Sequence, residues 1–136
     1  MKPAPGYRER AHTADWELEV WAPDLPALFE QAARGMAALA GVQLQPSPPQ
    51  MRHLELEAID AESLLVRFLE ELLYLQNMEG LAFNVFRLVI DGWRLQGDLE
   101  GAPITRLDKE IKAVTFHNLK VQTGERGLEV RIVFDV

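Results

Sequence analysis

Ala82-Phe83-Asn84-Val85-Phe86-Arg87-Leu88-Val89-Ile90-Asp91-Gly92-Trp93-Arg94-Leu95-Gln96-Gly97-Asp98-Leu99 reads as two apolar runs joined by Asp-Gly. Asp-Gly supplies the positive φ angles of a tight turn whose twist matches the flanking strands, so the stretch predicts a β-hairpin. A second hairpin follows: Ile111 to Gln122, a turn over Gly124 to Gly127, then Leu128 to Val136. Hairpins, unlike repeated strand-helix-strand units, favour antiparallel pairing.

Upstream, two segments carry helical spacing. Asp24 is a good N-cap, Pro26 suits the first turn, and Leu25, Leu28, Phe29, Ala32, Met36 and Leu39 recur every three or four residues up to Gly41. Asp60 caps the second, where Leu64, Leu65, Phe68, Leu69, Leu72 and Leu73 form a wide apolar stripe, Arg67 and Glu71 sit four apart on the outer side, and the end falls between Asn77 and Gly80. Two further strands are predicted, at Trp16 to Ala22 and at Met51 to Ala58, the latter with Met51, His53, Glu55 and Glu57 on its wet face. Pro46-Ser47-Pro48-Pro49 is a stiff connector, and Glu100 to Glu110 reads as an exposed loop. The fold class is therefore α+β: mostly antiparallel sheet packed with two amphipathic helices, in a single domain over residues 1–136.

Composition narrows the functions. With 136 residues and 48% apolar side chains the chain can bury one real core. No apolar run reaches the roughly 18 residues of a membrane span, and Met1 to Gly6 lacks a signal-peptide core, so a soluble, cytoplasmic protein without membrane contact is expected. There is no cysteine, so any metal must be held by oxygen or histidine. A net charge of -7 opposes strong binding to nucleic acid, which relies on Lys and Arg displacing counterions. Trp21 and Trp93 stand outside any cluster of basic residues in the sequence and are read as packing against the sheet.

The chain's last strand, Val130 to Val136, has Asp135 as its penultimate residue and a main-chain carboxylate at Val136. Two negative groups at the tip of a half-buried strand are tolerable if the tip is solvated or if a cation sits there. His12-Thr13-Ala14-Asp15 leads into the first predicted strand. If the first and last strands are neighbours, Asp15 and Asp135 can share one ion; otherwise Asp15 is a turn or cap residue and Asp135 a solvated end. His12 suits a hydrogen bond to loop backbone better than an oxygen-rich metal site. Lys112 and His117, five apart on a predicted strand, are expected on opposite faces.

Several blocks in this order resemble the archease family: His12-Thr13-Ala14-Asp15; Leu64-Leu65 with Phe68-Leu69-Glu70-Glu71-Leu72-Leu73-Tyr74-Leu75; Met78-Glu79-Gly80; Glu110-Ile111-Lys112-Ala113-Val114-Thr115-Phe116-His117; and Phe134-Asp135-Val136. Together they cover essentially the whole chain. The resemblance implies an accessory protein of tRNA splicing and RNA repair, not itself an enzyme. Its partner would be an RtcB-type RNA ligase that uses GTP to join a 2′,3′-cyclic phosphate end to a 5′-hydroxyl end. The accessory would promote guanylylation of the ligase histidine and so multiple turnover. The resemblance also implies a divalent cation, Ca²⁺ first and Mg²⁺ or Mn²⁺ next, held by Asp15, Asp135 and a main-chain oxygen of Val136. Lys112, His12 and His117 are the candidates for touching the partner. The chain departs from the family where Ala11 stands in place of an acidic residue, a change expected to weaken the ion's hold, and where Phe116 replaces a common Tyr. Glu17, expected on the wrong face of its strand, is not read as a replacement. Two other classes remain open on the residues alone: a chaperone-like module for a tRNA-modifying methyltransferase, and a small metal-dependent hydrolase built on His12 or His117 with Asp15.

Overall fold

The computed structural model describes residues 4–11 and 15–136. Within the described residues, nine strands and two helices follow one another in the order β1 (Gly6–Ala11), β2 (Asp15–Ala22), α1 (Leu25–Ala40), β3 (Gln43–Leu44), β4 (Gln50–Glu57), α2 (Ala61–Glu79), β5 (Leu81–Asp91), β6 (Arg94–Arg106), β7 (Ala113–Val114), β8 (Gln122–Gly124) and β9 (Gly127–Asp135). Every strand pair is antiparallel. One sheet runs β1-β2-β9-β7, with β8 beside β9 further along; in the other, β6 lies between β4 and β5 and takes β3 at its far end. Each helix touches both sheets, α1 against β1, β2, β9 and β5, and α2 against β4, β5, β6 and β7. The helix pair is thus the filling between two sheets, an α+β domain of the predicted class.

The helices begin and end where the local chemistry dictates. Asp24 accepts from the Ala27 amide at 2.9 Å, and Gly41 closes α1 in the left-handed region at φ 69, where a side chain would be strained. Asp60 accepts from the Ser63 amide at 2.7 Å, a bond that also holds its carboxyl below the usual carboxylate range. The predicted stripe of α2 is buried in full, and Phe68 meets Phe29 of α1 with ring centroids 5.7 Å apart. Leu18, Val20 and Ala22 of β2 and Val130, Ile132 and Phe134 of β9 line the other wall of the core. Alternation then puts Asp15, Glu17, Glu19 and Trp21 on the outer face of that sheet, together with Asp135, Val133, Arg131 and Glu129.

Several expectations are corrected. Strand β1 pairs with β2 from Trp16 to Trp21, although its sequence, Gly-Tyr-Arg-Glu-Arg-Ala, carries no strong apolar signal. The Glu100 to Glu110 segment is a loop only in its second half, because β6 continues to Arg106. Its Gly101 marks a close approach and no turn: a Cβ there would run into the Ala82 carbonyl, beside the bulge between Phe83 and Val85. The segment Ile111 to Gln122 is not one strand. Asn118 adopts a left-handed φ of 52, and the Leu119 amide turns back to the Phe116 carbonyl at 3.1 Å, so extended structure survives only as the short β7 and β8. Backbone amides of the segment are satisfied from α2 instead, Val114 by Glu70 at 3.2 Å and Val121 by Glu62 at 2.7 Å. With the strand gone, the opposite-face argument for Lys112 and His117 no longer applies. Trp93 is 44% exposed in the turn between β5 and β6.

Candidate functional site

Asp15 opens β2 and Asp135 closes β9, and the register sets them directly opposite each other. The type of rung follows from the neighbouring strand. The Asp135 carbonyl accepts from the Lys112 amide at 2.7 Å and the Val133 carbonyl accepts from the Thr115 amide at 3.0 Å, so the peptide groups of these residues point toward the β7 side, away from β2. Asp15 and Asp135 therefore occupy a rung without inter-strand hydrogen bonds, the kind in which opposed Cα atoms approach to about 4.5 Å and side chains are closest. Like charges directly opposite on a sheet repel. Asp135 is exposed, Asp15 half-buried with its Oδ1 withdrawn from solvent, and Val136 half-buried.

Glu17 lies on the same outer face as Asp15, one pleat further from the tip and about 7 Å along the strand. This corrects the expectation that it points the wrong way; two-residue spacing on a strand returns a side chain to the same face. Lys112 borders the tip, since its amide bonds Asp135, and its side chain is exposed. Lys109 stacks its ammonium over the Trp16 ring at 3.7 Å, next to Asp15 in the chain. His117 and Phe116 are exposed on the turn that follows β7, with His117 Nε2 3.2 Å from Asn118 Nδ2. His12 lies outside the described residues.

Among the described residues no three histidine, aspartate or glutamate side chains converge on one point. Of the three expected donors, Asp15 and Asp135 face each other and Val136 follows Asp135 in the chain. The set is all oxygen, which suits a hard divalent ion that completes its shell with water.

Further along the same face, sequence reasoning missed a cluster. Arg8, Glu19 and Arg131 occupy a single rung across β1, β2 and β9. Arg10 Nη2 lies 3.2 Å from Glu19 Oε1, Arg131 Nη2 3.5 Å from the same atom, and Arg8 Nε 3.8 Å from Oε2. The signal was present as period-two charge in Arg8-Glu9-Arg10 and Glu17-Leu18-Glu19, masked by the chain's overall acidity.

A small α+β domain with two antiparallel sheets around a helix pair, and facing carboxylates at one sheet tip, is thus defined. Residues 7–136 match the model of the Archease protein family, and this chain belongs to that family. It is 34% identical over 119 residues to the protein archease of Thermococcus gammatolerans, spanning 82% of this chain and 84% of that one. It is 31% identical over 138 residues to the protein archease of Methanopyrus kandleri, spanning 96% and 99%. The solution structure of Methanobacterium thermoautotrophicum protein 1598 superimposes with a TM-score of 0.72 at 25% identity, covering 96% of this chain and 99% of that one.

Proposed function

We propose that this protein is a non-enzymatic accessory of RNA processing that activates an RtcB-type RNA ligase in tRNA splicing and RNA repair, promoting its GTP-dependent guanylylation and multiple turnover. Family membership supports the accessory role. The single observation that carries the site is the closed register of Asp15 against Asp135 on a rung without hydrogen bonds. Two facing carboxylates offer oxygen donors to one point, and Asp15, Asp135 and Val136 would hold a divalent cation there, Ca²⁺ in the first instance and Mg²⁺ or Mn²⁺ next. When bound, such an ion supplies fixed positive charge at a protruding acidic tip.

The chain's own residues do the rest. Asp15 and Asp135 set the geometry of the tip, the Lys112 amide fixes Asp135, and the exposed side chains of Lys112, beside the tip, and His117, on the turn after β7, would be partner contacts. No helix of the described residues is long and apolar enough to cross a membrane, in keeping with a partner met in solution. The test is a ligation assay with ligase limiting over RNA, GTP and Mn²⁺. Addition of this protein should raise product from about one turnover per ligase to many, and Asp135→Ala should abolish the gain while circular dichroism shows an unchanged fold. Full activation by Asp135→Ala would remove the tip from the mechanism.

A further inference from the structure

At the end remote from the Asp15–Asp135 tip, the outer face of the β1-β2-β9-β8 sheet gathers positive charge in an otherwise acidic protein. The chain's net charge is -7. Yet two adjoining clefts on this face are lined by Arg8, Arg10, Lys120, Arg126 and Arg131 against Glu19, Glu125 and Glu129, five cations to three carboxylates. The larger surplus is in what solvent sees. The Glu19 side chain is only 7% exposed, whereas Arg8, Arg10 and Arg131 are 59%, 47% and 62% exposed. A carboxylate hidden beneath three open guanidiniums orders them while cancelling only one of their charges.

Their hydrogen-bonding capacity is also largely unspent. A guanidinium has five N–H donors in a rigid fork, and three such groups around one carboxylate have far more donors than its two oxygens accept. Arg126 is committed to Glu129 at 2.8 Å, holding that carboxyl below its usual range, and stacks on Trp21 at 4.0 Å. Arg126 therefore forms a fixed cationic wall of the cleft, about 480 Å³ in volume, that Arg131, Lys120, Asn118 and Gln122 also line. A guanidinium fork matches the paired oxygens of phosphate or carboxylate, and several cations lining one cleft favour phosphate, which carries more charge per group and repeats it along a nucleic-acid backbone.

We propose that the two adjoining clefts, which share Glu19, Arg126 and Glu129, together form a phosphate-binding site, with Arg10 of one and Arg131 and Lys120 of the other as the contacting groups and Glu19 as the positioning residue between them. The phosphates belong either to the backbone of single-stranded RNA or to a free nucleoside triphosphate. The site lies two pleats from Asp15, about 13 Å along β2, and does not depend on the carboxylate tip or on any ion there.

The test is fluorescence anisotropy of a labelled single-stranded RNA of about 12 nucleotides, without ligase or divalent metal, across roughly 50 to 200 mM salt. Arg10→Gln/Arg131→Gln should weaken binding at least tenfold and flatten the slope of log affinity against log salt by about 1.4, the share of two phosphate contacts on a single strand. The triple variant Glu19→Gln/Arg10→Gln/Arg131→Gln leaves no buried unpaired charge, keeps the fold, and should show the same loss. Affinity that grows with RNA length and resists competition by ATP identifies the backbone as the source. Equal competition by ATP at every length identifies the nucleotide. Absence of saturable binding to either at 50 mM salt, or variants indistinguishable from the parent, overturns the proposal; neither result touches the ligase assay above.

Discussion

Asp15 and Asp135, some 120 residues apart in the chain, face each other across β2 and β9 on the rung where strands come closest. That relationship makes opposite predictions with and without a cation. In chelator, Asp135→Asn should be more stable than the parent by about 0.5 kcal/mol, because it removes a like-charge pair. Added Ca²⁺ should reverse the order, stabilising the parent by about 2.7 kcal/mol at a hundredfold excess over Kd and leaving the variant unmoved. Thermal melts in chelator and in Ca²⁺ check both halves; a parent melt indifferent to Ca²⁺, Mg²⁺ and Mn²⁺ would argue against an ion at this tip.

Glu19 should behave unlike a surface acid. Glu19→Ala deprives three crowded guanidiniums of the carboxylate they share, and urea unfolding should show a loss of about 1 to 3 kcal/mol, below the cost of breaking a fully buried pair because the arginines are wet. Adding Arg8→Gln to Glu19→Ala should recover part of that loss. Additive effects would mean the cluster is not coupled.

His53 provides a pH signature on the other sheet. Its Nδ1 lies 2.8 Å from Asp98 and its Nε2 3.2 Å from Glu55, and these two bonds, Asp98 first, raise its pKa above 6.5. A raised value means the folded state favours the imidazolium, so the contribution is complete below the unfolded value and fades as pH rises through the folded one. His53→Gln should therefore lose stability relative to the parent at pH 5 but not at pH 9. A ring titration by NMR at or below 6.5 would contradict this.

The core and the hairpin turn make a contrasting pair. Phe68, fully buried against Phe29, should cost about 3 to 5 kcal/mol on truncation to alanine. Trp93, 44% exposed at its turn, should change stability by no more than about 0.5 kcal/mol, although both are large aromatics in apolar stretches. Chemical denaturation of the two variants decides whether exposure or size governs.

Features that repeat along an element were legible in the sequence. The caps Asp24, Gly41 and Asp60, the buried stripe of α2 and the Asp91-Gly92 turn follow from local chemistry and period alone. Family resemblance reached the same two aspartates that the charge at the strand tips suggested, and the register then placed them opposite each other. What stayed hidden depends on partners distant in sequence. Strand β1 is held by β2 with little apolar content of its own, β6 crosses a Gly and a Pro because β5 and β3 need it there, and β7 ends early because Asn118 turns the chain. The arginine cluster was invisible because net charge averages over a surface that the fold divides into acidic and basic regions.

Strand β9 is the final element, yet it sits in the interior of its sheet, with β2 on one side and β7 and β8 on the other. A chain emerging from the ribosome therefore cannot close this sheet until β9 has been made, and long-range pairing of this kind is slow to form. The tip and the basic cleft share that dependence, since each needs β2 and β9 side by side. Neither can form before β9 has been made and paired.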